Sequence, residues 1–130
     1  MDSFQFPFSR RMNFRRLTQS HHDAFRGLRF VFRHEQNFRI QLAAAVVVIL
    51  LMAGLRVERE DQISLLLLIV AVLTLELVNS AVEWLVDIVK PRLHEPAARV
   101  KDIMAAAVLL VSAGAAVVGM LIFWPYIMRL

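Results

Sequence analysis

Apolar positions fall into three long runs. Ile40–Leu55 (IQLAAAVVVILLMAGL) is sixteen residues without a formal charge, and Asn37, Phe38 and Arg39 can extend it at one end. A second run opens at Ile63 (ISLLLLIVAVLTL) and continues to Val89 through Glu76, Glu83 and Asp87. The third, Ile103–Met128, is twenty-six residues without a charge. A bilayer core of about 30 Å is crossed by about 20 helical residues, so each run is long enough to span. Backbone groups in lipid must be satisfied internally, which leaves helices or closed barrels, and these runs lack the strict alternation of barrel strands. The pattern predicts three transmembrane helices over 37–55, 62–90 and 101–124.

Ahead of the first span, Ala24, Phe25, Leu28, Val31 and Phe32 recur at helical spacing, with Arg26, Arg29 and Arg33 on another stripe. That pattern predicts an amphipathic helix over 18–36 lying in the headgroup layer. Residues 1–17 read as a loose arm. A cleaved leader is a poor fit, because a basic segment of about forty residues precedes the first run and leaders are short. Pro125 is expected to kink or end the third span. The fold class is therefore an all-α integral membrane protein, three spans preceded by an interfacial helix, in one domain.

Composition supports this. Of 130 residues 58% are hydrophobic, against roughly 45–50% in soluble domains, and a chain this short buries too little surface to hide them in water. Disorder is excluded by the same hydrophobicity. Cysteine is absent, which removes disulfides, thiolate metal sites and cysteine nucleophiles. Thirteen Arg and two Lys give a net charge of +4. Beside apolar runs this charge suits anionic lipid better than nucleic acid. Eight Arg precede the first span, and Lys90, Arg92, Arg99 and Lys101 flank the second loop, whereas RVERED (56–61) is acidic on balance. The positive-inside rule then predicts a multi-pass protein of the cytoplasmic membrane with its N-terminus and second loop inside.

The chemistry concentrates in ELVNSAVEWLVDIVK (76–90). At 100° per residue, Glu76, Asn79, Ser80, Glu83, Asp87 and Lys90 share an arc of about 100°. A carboxylate in hydrocarbon costs roughly 2.5–3.5 kcal/mol on insertion scales, so three on one helix need partners or a function. Counting from Gln62, Glu76 lies ~21 Å along the helix, with Glu83 ~10 Å further and Asp87 at the interface. Glu35, Arg39, Lys101 and Asp102 reach the same level. Carboxylates that hold Mg²⁺ beside bases that hold phosphate are the ingredients of nucleotide phosphoryl transfer, and a carboxylate in a low-dielectric site can take a proton from an alcohol. The residues alone leave two other readings open: a polar stripe pairing with neighbouring helices, or a proton or cation path. Asp102 also suits a helix start. Arg16, Arg29 and Arg33 suit anionic lipid. The four His show no metal-ligand spacing, Trp84, Trp124 and Tyr126 read as interface anchors, and the small residues Ala105–Ala107, Ser112–Ala116 and Gly119 read as close helix packing. Gly114 and Gly119 have P-loop spacing, but Met120 stands where Lys is needed.

ELVNSAVEWLVD (76–87), with its ExxNxxxExxxD spacing, resembles the signature of the prokaryotic diacylglycerol kinase family of small trispanning lipid kinases. GLRFVFRHEQNFRIQ (27–41) and RVKDIMAAAVLL (99–110) agree in order and spacing, so the resemblance covers about residues 14–124. It implies a homotrimer with active sites shared between subunits, using Mg²⁺ and ATP to phosphorylate a membrane lipid alcohol. By matched position it makes Glu76 the base on the lipid hydroxyl and Glu35 and Glu83 the metal ligands, with Asn79 supporting the reacting groups. Asp87, Lys101 and Asp102 would bind nucleotide or order the site; Arg16, Gly27 and Arg29 would flank the nucleotide. HEQNFRIQ, HEPAARVKD and the late FWPYI resemble the undecaprenol branch. Gln41 replaces an acid, and Met104–Ala105 a Gly–Ser pair, that diacylglycerol enzymes often carry. The reading is an undecaprenol kinase, with diacylglycerol as the alternative lipid and a small proton- or cation-coupled transporter as the alternative of another class.

Overall fold

The computed structural model describes residues 14–89 and 94–129, and side chains over 18–88 and 95–129. The Arg16 side chain, most of the N-terminal arm and the loop around Pro91 lie outside the described residues. The chain forms four helices: α1 (Phe14–His34), α2 (Gln36–Gly54), α3 (Arg59–Val89) and α4 (His94–Ile127). The last three are long and apolar enough to cross a bilayer. α2, at 19 residues, is ~28 Å long and matches the hydrocarbon core, whereas α3 and α4, at 31 and 34 residues, are ~46 and ~51 Å long. About 20 residues counted from Ile63 end near Val82. Glu76 therefore sits within the core, Glu83 at its boundary and Asp87 beyond it.

Most apolar side chains face outward. Leu50, Leu67, Leu109 and Leu110 are each more than half exposed, an arrangement that is stable only with lipid or another protein around it. α1 starts before the predicted Thr18. Its Phe25, Leu28 and Phe32 remain exposed, and Asp23 pairs with Arg26 at 2.7 Å one turn on. α1 and α2 are separated by one residue, Glu35, in extended conformation (φ −102°, ψ 114°). Arg39 secures the break by donating to the carbonyls of Phe32 (3.2 Å) and Arg33 (3.1 Å), carbonyls a helix end otherwise leaves orphaned. Pro125 does not break α4 early: the helix runs through it and stops at Ile127.

The α2–α3 loop end is locked. The Val57 N–H reaches back to the Met52 carbonyl (3.2 Å) across Arg56 at φ 49°, a Schellman-type ending in which the left-handed residue is normally Gly. Met52 and Val57 then pack with Leu65 and Phe123 in the main buried cluster. Tyr126 ties α4 to this end: its hydroxyl donates to Asp61 (2.7 Å) and accepts from the Glu58 N–H (3.1 Å).

Two stability predictions follow. Arg56→Gly relieves the left-handed strain and raises stability by about 0.5–1 kcal/mol, read as a higher unfolding midpoint in detergent. Tyr126→Phe removes both hydroxyl bonds and lowers stability, read in the same way.

Candidate functional site

The polar stripe of α3 turns inward. Glu76 (2% exposed), Asn79 (6%) and Ser80 (2%) are the buried polar residues among those described. Exposure rises along the stripe, with Glu83 half-buried and Asp87 exposed. The Ser80 hydroxyl is consumed locally, donating to the Glu76 carbonyl at 2.9 Å. The Asn79 amide nitrogen donates to Glu83 Oε1 at 3.0 Å, which fixes Glu83 one turn away on the same face. Asn79 Oδ1 is buried with no hydrogen-bond partner. A buried amide oxygen without a donor costs roughly 1–3 kcal/mol, so it marks a place where a bound group can complete the structure.

These side chains line a cavity of about 290 Å³ between α2, α3 and α4. Its polar groups are Asn37 and Gln41 from α2, Glu76, Asn79 and Glu83 from α3, and Ser112 from α4; Ile40, Val108 and Leu109 form apolar walls. Gln41 Nε2 donates to Ser112 Oγ at 3.0 Å, joining α2 and α4 at the floor. Glu76 and Glu83 are thus brought to one cleft.

Glu35 stands at the rim, on the break between α1 and α2. It makes no cap bond to α2, and its Oε1 accepts a long 3.4 Å bond from Trp84 Nε1. Phe30 packs edge-on against Trp84 (5.0 Å) and stacks on His34 (4.3 Å). Trp84, read above as an interface anchor, therefore holds the end of α1 against α3. Beyond the rim, Lys101 Nζ donates to Asp87 Oδ1 at 2.6 Å, bridging the ends of α3 and α4. Asp102 is exposed on α4, and neither it nor Gly27 lines the cleft. Arg29 lines a separate groove beneath α1 with Phe25 and Phe32. Among the described residues no three His, Asp or Glu side chains gather into a metal cage. Two carboxylates and an orphan amide oxygen are hard oxygen donors, and they fit Mg²⁺, which is usually held by one or two carboxylates plus substrate phosphates.

Sequence reasoning missed Asn37 and the Gln41–Ser112 pair as cleft residues. The available signal was a polar side chain inside each apolar run, a feature that in membranes marks interhelical bonds or sites.

Comparison with known proteins gives the family. The prokaryotic diacylglycerol kinase family model matches residues 22–123. An undecaprenol kinase of Bacillus subtilis is 36% identical over 104 residues, covering 78% of this chain and 83% of its own. A diacylglycerol kinase of Escherichia coli K12 is 27% identical over 113 residues, covering 87% and 93%. A diacylglycerol kinase of Synechocystis is 36% identical over 108 residues, covering 82% of this chain and 62% of its own. A kinase family removes the transporter alternative and makes ATP the phosphoryl donor. With its three spans, the chain is a multi-pass membrane protein that belongs to the prokaryotic diacylglycerol kinase family of lipid kinases.

Proposed function

We propose that the chain transfers the γ-phosphoryl group of ATP to the hydroxyl of undecaprenol at the cytoplasmic face of the bacterial inner membrane. The observation that carries this reading is the burial of Glu76, on a helix long enough to cross a bilayer, in one cleft with Asn79 and Glu83. A lipid hydroxyl can reach that depth, and a nucleotide can approach from the rim, beyond which Asp87 and Lys101 lie.

Glu76 accepts the proton of the lipid hydroxyl, and the hydroxyl oxygen attacks the γ-phosphorus as the bond to the β–γ bridging oxygen breaks and ADP leaves. Asn79 holds Glu83 through their 3.0 Å bond and leaves its own Oδ1 to a bound donor or cation. Glu35 and Glu83 are the residues that would hold Mg²⁺, which when bound neutralises charge on the triphosphate. Lys101, tethered by Asp87, supplies positive charge at the nucleotide side, with Asp102 beside it. The cleft lies within one chain, and Gly27 and Arg29 do not line it, so a homotrimer that brings a neighbour's α1, with its Arg16, to the rim would complete it.

Identity does not separate the two lipids, since one undecaprenol kinase and one diacylglycerol kinase are both 36% identical. Gln41 in place of an acid favours undecaprenol: it spends its amide on Ser112 and leaves no charge at the floor to meet a glycerol headgroup.

The deciding assay gives purified protein Mg²⁺ and ATP with each lipid in mixed micelles. Phosphate is expected on undecaprenol in preference to diacylglycerol; the reverse preference would reassign the lipid, and transfer to no lipid alcohol would refute the kinase. Glu76→Gln is expected to keep the fold and lower turnover by roughly 10²–10⁴-fold, the usual worth of a general base; normal turnover would remove Glu76 from that role. In Glu83→Gln the Mg²⁺ concentration for half-maximal rate should rise roughly ten-fold or more, and an unshifted titration would count against ligation there.

A further inference from the structure

Of the two residues proposed to hold the cation, Glu35 is the one outside any helix, and its backbone and its carboxylate are held by different partners. The backbone is fixed from α1 and α2. The Glu35 N–H closes the last turn of α1 on the Val31 carbonyl at 2.8 Å, and Arg39 caps the same end at Phe32 and Arg33. The carboxylate is reached from α3. Trp84 Nε1 donates to Oε1 at 3.4 Å, and among the described residues Oε2 accepts no hydrogen bond. The indole is itself clamped. It meets Phe30 edge-on at 5.0 Å, and Phe30 stacks on His34 at 4.3 Å, whose Nδ1 lies 2.8 Å from the Phe30 carbonyl. The last turn of α1 is thereby locked onto α3. Trp84 directly follows Glu83, and neighbouring side chains on a helix diverge by about 100°. Glu83 therefore lines the cleft while Trp84, about half exposed, passes outside it to Glu35. An indole that only anchored the helix in the headgroups could give its N–H to water; this one gives it to a carboxylate.

We infer that Trp84 is a positioning residue for Glu35: its indole N–H holds one carboxylate oxygen and leaves the other to a divalent cation shared with Glu83. The inference rests on the proposed ligand pair and adds the group that orients it. A Glu side chain outside a helix has no turn beside it to restrict its rotamers, so ordering it when a cation binds costs side-chain entropy. A hydrogen bond already in place lowers that cost, which is how a group behind a ligand raises metal affinity without touching the metal. A neutral donor suits the position. It orients the carboxylate without neutralising the negative charge that a divalent cation needs, as a Lys or Arg there would.

The test uses the full-length protein in detergent. Trp84→Phe deletes the N–H and keeps a ring against Phe30. The Mg²⁺ concentration for half-maximal turnover is expected to rise roughly ten-fold, the lower end of the usual range for a group behind a ligand because the bond is long. Turnover at saturating Mg²⁺ and the unfolding midpoint should change little. Phe30→Leu loosens the aromatic clamp but leaves the N–H; it should lower the midpoint and move the Mg²⁺ titration less. A titration unmoved in Trp84→Phe, or moved more by Phe30→Leu, overturns the inference. Fluorescence gives a readout that needs no turnover. The chain has two Trp, so Trp124→Phe leaves Trp84 as the sole indole. Mn²⁺ takes the same oxygen ligands as Mg²⁺ and quenches a nearby indole. With a non-hydrolysable ATP analogue present, saturable quenching that Mg²⁺ reverses is expected, and it should be lost in Glu35→Gln. Absent quenching, or quenching that survives Glu35→Gln, overturns the inference even where turnover is normal. Quenching that depends on Glu35, with no phosphate transferred to any lipid alcohol, supports the positioning role and refutes the kinase proposal instead.

Discussion

A carboxylate held inside the hydrocarbon layer is the constraint around which this molecule is organised. Glu76 is almost fully buried between three helices, at a depth where an ionised group is costly unless something compensates it. The compensation is not a neighbouring cation, since the described ion pairs near the site join Asp87 to Lys101 outside the core. What surrounds Glu76 instead is a cavity with an orphan amide oxygen and a second carboxylate. Such a site is complete only when it is occupied. A kinase that takes one substrate from lipid and the other from water needs this property: reacting groups at the boundary, reachable from both phases.

The two ends of the bundle divide the labour. The α2–α3 loop end is closed by the Schellman turn, the Met52–Val57–Leu65–Phe123 cluster and the Tyr126–Asp61 bond. Among the described residues, the opposite end is held by side-chain contacts: Arg39 on the end of α1, Trp84 on Glu35, Lys101 on Asp87. A firm far end lets the near end remain open without the helices drifting apart, because three helices anchored at one end need only side-chain bonds at the other to hold a cleft. The Gln41–Ser112 bond lies between these regions. It closes the floor of the polar cleft.

The fold was legible almost entirely in the order of residues. Run length identified the spans, and the 100° arc of Glu76, Asn79, Ser80 and Glu83 located the inward face of α3. These are local properties: whether a segment is helical and which face is polar depend on neighbours three or four positions away. Asp87 and Lys101 were placed at the same membrane depth, a one-dimensional inference that a bilayer makes possible, but their pairing was not foreseen. The family resemblance rested on the same stripe.

What the chain order did not reveal is the relation between helices. Gln41 lies 71 positions from Ser112, and Tyr126 lies 65 from Asp61. Which rotation of α4 faces α2, and at what axial offset, is decided by how small side chains such as Ala45, Ala116 and Gly119 let the backbones approach. Periodicity fixes each helix's own polar face but is blind to the phase between two helices, because that phase is a packing optimum summed over many weak contacts. Hence Trp84, read as an interface anchor, is also found against Phe30 and Glu35. Ser112, read among the small packing residues of the third span, also joins Gln41 across the cleft. Sequence settled the helices, their spanning lengths and the polar stripe; tertiary packing alone decided which side chains share a wall.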